Sequence, residues 1–104
     1  MIVPEQWREY FCEEYFSSPL SRTGYWDEDC QHWLIESADE IEEDKEGGDL
    51  LQIGRPGVDS IGFGYRKGHA GIWALHRMVE RRFEFMASSL DEFIARWEAG
   101  RIIL

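Results

Sequence analysis

Ile53 to Tyr65 reads IGRPGVDSIGFGY, and this stretch decides the fold. Arg55-Pro56-Gly57-Val58 has the form of a type II turn: proline pre-sets the first central residue, and glycine accepts the positive φ of the second. After it, Ile61, Phe63 and Tyr65 alternate with Gly62, Gly64 and Arg66. A period of two predicts a strand, and a glycine face on it predicts close approach by another backbone or a helix.

Working outward, Leu50 to Gly54 and His32 to Ile35 read as short strands on the N-terminal side. On the C-terminal side, Lys67 to Gly71 is a glycine-rich turn and Ile72 to His76 returns as a strand, making an antiparallel hairpin with residues 60–66. Arg82 to Met86 is a further strand, with Phe83 and Phe85 on one side and Glu84 on the other. Ser89 and Glu92 form a capping box, and Leu90, Phe93, Ile94 and Trp97 make an i, i+3, i+4, i+7 stripe, so a helix closes the domain and Gly100 stops it. The tail Arg101 to Leu104 is apolar enough to dock or to pair with a strand edge.

At the other end, Pro4 suits a first helical turn, and Trp7, Tyr10, Phe11, Glu14 and Tyr15 recur at helical spacing. One helix over 4–16 with an aromatic inner face is expected, stopped by Ser17-Ser18-Pro19. Residues 17–31 read as irregular. Ser37 and Glu40 form a second capping box, but the segment that follows carries one apolar residue, Ile41, so a short exposed helix or an acidic loop is expected up to Gly47-Gly48. The sum is a single domain over 1–104 of class α+β: one twisted, antiparallel-dominated sheet of about five strands with an N-terminal and a C-terminal helix packed on it.

Composition agrees with one globule. A chain of 104 residues with 43% hydrophobic and 14% aromatic content can bury a core without staples. It contains no run of about 18 apolar residues that would span a membrane, and MIVPEQWREYF lacks the pattern of a signal peptide. Cys12 and Cys30 are too few for a disulfide framework and match no zinc or redox spacing, so a reduced, cytoplasmic setting is expected.

Charge is the second signal. The formal net charge is −10, and residues 1–50 carry 15 acidic side chains against three basic ones, Arg8, Arg22 and Lys45. Such a field repels nucleic acid and anionic membrane and attracts a basic partner. Asp27, Glu28, Asp29, Glu36, Asp39, Glu40, Glu42, Glu43 and Asp44 fall within eighteen positions, beside Trp26 and Trp33. Two readings stand side by side: a partner-binding patch, or a solvated acidic edge that serves solubility. Trp26 itself reads either as an exposed recognition residue or as one tucked under a loop.

Signatures of catalysis are weak. Gly62, Gly64 and Gly68 follow GxGxxxG with no helix opening after them, unlike a dinucleotide fingerprint. His32, His69 and His76 have no partner at i+3 or i+4, and neither cysteine has the context of an activated nucleophile. No catalytic residue, metal or cofactor is expected; a small-molecule or metal-binding domain, or an enzyme using His69 or His76 with Asp59, is the minor alternative.

In their order and spacing, WLIESADEIEE, LLQIGRPGVDSIGFGYR, GIWALH and FEFMASSLDEFIARW resemble the SUKH superfamily. That domain occurs in the yeast cell-wall-synthesis regulator and in many bacterial toxin-immunity proteins. The close FMASSLDEFIARW is similar to the family's, with Phe93 and Ile94 in the paired apolar positions. The turn Gly54 to Asp59 departs from the family's pattern by fewer glycines and an added Arg55. The resemblance implies a non-enzymatic domain that binds and neutralises a cognate toxin, often a nuclease. The alternative is a regulatory or scaffold domain that recognises another protein through a sheet edge or the 54–59 turn. Expected contact residues are Trp26, the nine carboxylates above, Arg55 and Asp59. A homodimer through an exposed strand edge is also open.

Overall fold

A computed structural model describes residues 3–29, 31–44, 50–56, 60–77 and 82–100. Along the chain run a 3₁₀ helix (Glu5–Tyr10), α1 (Glu13–Ser17), α2 (Leu20–Thr23), β1 (Tyr25–Asp27), β2 (His32–Ile35), β3 (Glu42–Asp44), β4 (Leu50–Gly54), β5 (Ile61–Arg66), β6 (His69–His76), β7 (Arg82–Ala87) and α3 (Leu90–Glu98). Strands β3 to β7 form one antiparallel sheet in sequential order. The class is α+β as expected. The single expected sheet is in fact two, because β1 and β2 pair with each other as a separate two-stranded sheet.

The two sheets meet where β2 crosses β4. The backbone N–H of Glu36 donates to the carbonyl of Ile53 at 2.6 Å. A Cβ on Gly54 would lie 1.7 Å from the carbonyl oxygen of Leu34, a contact only glycine permits. Gly64 repeats the theme inside the main sheet, where a Cβ would lie 1.9 Å from the carbonyl oxygen of Leu51. On the glycine face of β5, Gly64 thus meets backbone as its sequence suggests, whereas a Cβ on Gly62 would meet the Gln52 and Arg77 side chains.

The expected helix over 4–16 is broken. Phe11 takes a left-handed conformation (φ 54°) and separates the 3₁₀ helix from α1. One continuous helix would set Phe16 away from the face that holds Tyr10 and Tyr15. The break rotates α1 so that Tyr15 and Phe16 both turn inward, edge to face at 5.1 Å, with Phe16 stacked on Trp7 at 5.9 Å. Phe11 is left half-exposed as a result.

The acidic segment after Ser37 is not helical. The N–H of Glu40 closes a turn onto the carbonyl of Ser37 at 2.9 Å. Glu42–Asp44 then pair as an edge strand, with Glu42 opposite Gln52 and Asp44 opposite Leu50. One apolar residue, Ile41, gives a helix too little to bury, whereas β4 offers a ready ladder. The 17–31 segment is also more regular than its composition suggests, since it holds α2 and β1. The 55–58 turn and the 101–104 tail lie largely or wholly outside the described residues.

The core lies between the sheet and the helices. Leu51, Ile53, Phe63, Tyr65, Ile72 and Ala74 supply the sheet side, and Leu34, Ile35, Tyr10, Tyr15, Leu90 and Phe93 close over them. Phe93 meets Phe63 edge to face at 4.8 Å. Burying a side chain of that size stabilises by about 3 kcal/mol. Helix α3 begins at its capping box: the Ser89 hydroxyl accepts from the N–H of Glu92 at 3.1 Å, while the Glu92 carboxylate reaches one residue further back than the box predicts, to the N–H of Ser88 at 3.2 Å. Gly100 takes a positive φ of 69° just past the helix end. Among the described residues no helix is long and apolar enough to cross a membrane.

Candidate protein-docking surface

The β1–β2 ledge carries two indoles side by side. Trp26 pairs directly with Trp33 across the strands. Their rings stand edge to face at 5.3 Å, and they remain 40% and 46% exposed. A tryptophan pair with its own cross-strand contact that stays half in water leaves a large apolar area exposed in a fixed place.

The ledge is held rigidly. Gly24 ends α2 in a conformation (φ 69°, ψ −176°) that is essentially glycine-only. A Cβ there would sit 3.0 Å from the Trp33 ring and 2.8 Å from the carbonyl oxygen of Ile35. On the far side of β1, Asp27 points inward and is buried. Its carboxylate accepts from the indole N–H of Trp97 at 2.5 Å and from the N–H of Asp29 at 2.9 Å. The Tyr25 hydroxyl donates to Glu98, and this bond to a carboxylate pushes the phenol up to about 12. Both contacts fasten β1 to α3.

Two clefts flank the indoles. One, of about 340 Å³, is lined by Thr23, Trp33, Glu36, Ser37 and Glu40. The other is lined by Tyr25 to Asp29 with Trp97 and Glu98. Glu36 is fixed through its backbone on both sides: its N–H goes to Ile53, and its carbonyl accepts the Tyr15 hydroxyl at 2.6 Å. The turn that carries Ser37 is tied to α2 by the N–H of Ala38 on the carbonyl of Ser21 at 2.7 Å.

These contacts divide the acidic stretch into two populations. Along β3 two of the three carboxylates are matched internally: Asp44 pairs with Arg77 at 3.0 Å, and Glu43 accepts from the Tyr10 hydroxyl at 2.6 Å. Glu36 is likewise met by Arg55 at 3.3 Å, whose own carbonyl accepts from His32 Nε2 at 2.6 Å. Glu28, Asp29, Asp39, Glu40 and Glu42 are exposed, and among the described residues no cation pairs with them. Trp26, Glu28, Asp29, Glu36 and Glu40 therefore gather at the ledge, and Arg55 reaches it through Glu36. Asp27 supports the ledge from beneath. Glu43 and Asp44 belong to the main sheet. Asp59 lies outside the described residues.

No family model, curated protein or solved structure matches the chain. The surface is therefore read from its own geometry. Sequence reasoning gave Trp33 too little weight, and it missed Thr23, Ser37, Trp97 and Glu98. The place of Trp33 opposite Trp26 follows from the register of a hairpin whose first strand lies in a segment of irregular composition. Among the described residues, no three His, Cys, Asp or Glu side chains converge as metal ligands.

Proposed function

We propose that this chain is a non-enzymatic protein-binding domain that docks a basic partner on the β1–β2 ledge. The exposed Trp26–Trp33 pair, set between clefts whose carboxylates Glu28, Asp29 and Glu40 meet no cation among the described residues, supports this reading. The indoles supply apolar contact area, and the carboxylates steer a basic surface toward it and exclude acidic ones. With the SUKH-like sequence, the reading becomes an immunity protein that binds and neutralises a basic toxin domain such as a nuclease. The internal partners of Glu43 and Asp44 favour the ledge over β3 as the contact.

The test is binding to a panel of basic nuclease domains, at low and at high salt, for the native chain and for Trp33→Ala. Salt-sensitive binding that Trp33→Ala weakens at least tenfold is expected. Binding that neither salt nor Trp33→Ala changes would sink the reading. A regulatory or scaffold role is the second reading, and Phe85 favours it: this residue is 50% exposed on the edge strand β7, far from the acidic ledge in sequence and charge.

A further inference from the structure

The cleft beside Trp33 is chemically specific. Its walls are one indole, two carboxylates and two small hydroxyl residues. Ligand sites run from about 300 to 1,000 Å³, so a cleft of about 340 Å³ suits one long side chain. The positions of its polar groups are set in advance by backbone bonds at Glu36, Ala38 and Glu40, which lowers the ordering cost of binding. Carboxylates beside an aromatic face select a cation. Between the two protein cations, a planar guanidinium can stack on the indole and fork onto a carboxylate at once. An ammonium is a compact point charge that holds its water more tightly.

One carboxylate of the cleft already meets a guanidinium, which reaches it from the neighbouring cleft along β3. The Arg55 guanidinium sits on Glu36 at 3.3 Å while its side chain remains 49% exposed. An ion pair so exposed is weak and easily exchanged. Glu40, the other carboxylate of the cleft, has no such cation among the described residues. A guanidinium on aromatic rings also occurs on the outer face of the main sheet, where Arg66 lies 4.9 Å from the Trp73 ring centroid and 4.3 Å from that of Phe83.

We propose that the Trp33–Glu36–Glu40 cleft is a recognition pocket for an arginine side chain of the partner, and that Arg55, which lines the neighbouring cleft along β3, competes with it for Glu36. The incoming guanidinium stacks on Trp33 and takes Glu36 and Glu40, while Arg55 is released to solvent. Because the Arg55 backbone is held separately by His32, its side chain can leave without moving β4. The inference rests on the docking reading above and adds to it the chemistry of the anchor.

The test titrates the whole protein with acetyl-arginine methylamide and, separately, acetyl-lysine methylamide, following the indole N–H resonances by NMR. The arginine probe is expected to shift the Trp33 signal but not that of Trp73, and to bind several-fold more tightly than the lysine probe. Arg55→Gln frees Glu36 and should tighten binding of the arginine probe about two- to fivefold, the scale of an exposed ion pair. Glu40→Gln should weaken it. Equal response to both probes, or an Arg55→Gln variant that keeps its folded spectrum yet binds no better, overturns the pocket. If the pocket fails while the basic partner domain still binds in a Trp33-dependent way, the docking reading survives without it. If the arginine probe binds as expected but no basic protein does, the docking reading fails and the pocket stands.

Discussion

The indole N–H of Trp97 donates to Oδ2 of Asp27 at 2.5 Å, joining positions 70 residues apart. This bond sets the closing helix against the strand that presents Trp26. The same carboxylate caps the turn through Asp29, so Asp27→Ala strands two donors at once. A loss of about 2–3 kcal/mol is expected, the cost of removing a buried charged acceptor. Asp27→Asn keeps one acceptor oxygen and should lose about 1 kcal/mol. Urea unfolding of both variants checks the ranking. Equal stability of Asp27→Ala and the native chain would show the bond to be dispensable.

Gly24 meets the ledge from the other side. An alanine there must hold a glycine-only conformation and also push against the Trp33 ring. Backbone strain of this kind costs about 1–3 kcal/mol. Gly24→Ala should therefore lower stability and move the fluorescence of the tryptophan pair together. Gly68→Ala is the control, because its φ of 78° is strained but a Cβ there meets nothing. It should cost stability without a spectral change at Trp33.

What the sequence shows clearly is what local chemistry decides. The period of two from Ile61 to Arg66 and the stripe Leu90, Phe93, Ile94, Trp97 each specify an element without help from distant residues, and both are where expected. The failures are non-local. Nothing in Phe11-Cys12-Glu13 forbids a continuing helix; the break follows from the need to bury Tyr15 and Phe16 together. Glu42 to Asp44 have poor strand propensity and become a strand because Leu50 to Gln52 offer them a ladder. Counting carboxylates likewise finds the acidic stretch but cannot show that Asp27 turns inward or that Asp44 meets Arg77, 33 positions away.

The two acidic populations should respond differently to charge reversal. Asp44 forms an ion pair with Arg77, both partly buried, and Arg77 also donates to Gln52 at 2.8 Å. Asp44→Lys places like charges together and should destabilise by about 3 kcal/mol, as breaking a partly desolvated pair does. Glu28→Lys and Glu40→Lys remove exposed charges that no cation meets among the described residues. They should leave stability within about 0.5 kcal/mol while lowering the association rate with a basic partner and flattening its salt dependence. Thermal melts beside stopped-flow binding separate the two effects. A stable Asp44→Lys, or a Glu40→Lys that unfolds, would contradict the division.

Two carboxyls at the start of α3 should pull stability in opposite directions with pH. Burial raises Glu14 above its usual 4.5, against a hydrogen bond from the N–H of Leu90 that lowers it. Glu92 is lowered, chiefly by its hydrogen bonds from Ser88. For Glu92 the folded state favours the charged form. Its contribution is complete above the unfolded value of 4.5 and is lost as pH falls through the lowered folded value. For Glu14 the folded state favours the proton, so stability is greatest below 4.5 and declines as pH rises through the raised folded value. Glu92→Gln should thus be less stable than the native chain at neutral pH and match it in acid. Glu14→Gln, whose amide oxygen can still accept from Leu90, should gain at neutral pH and lose that gain in acid. Urea midpoints for both variants across the acid range decide the matter, and a gain for Glu14→Gln that persists unchanged into strong acid would refute the assignment.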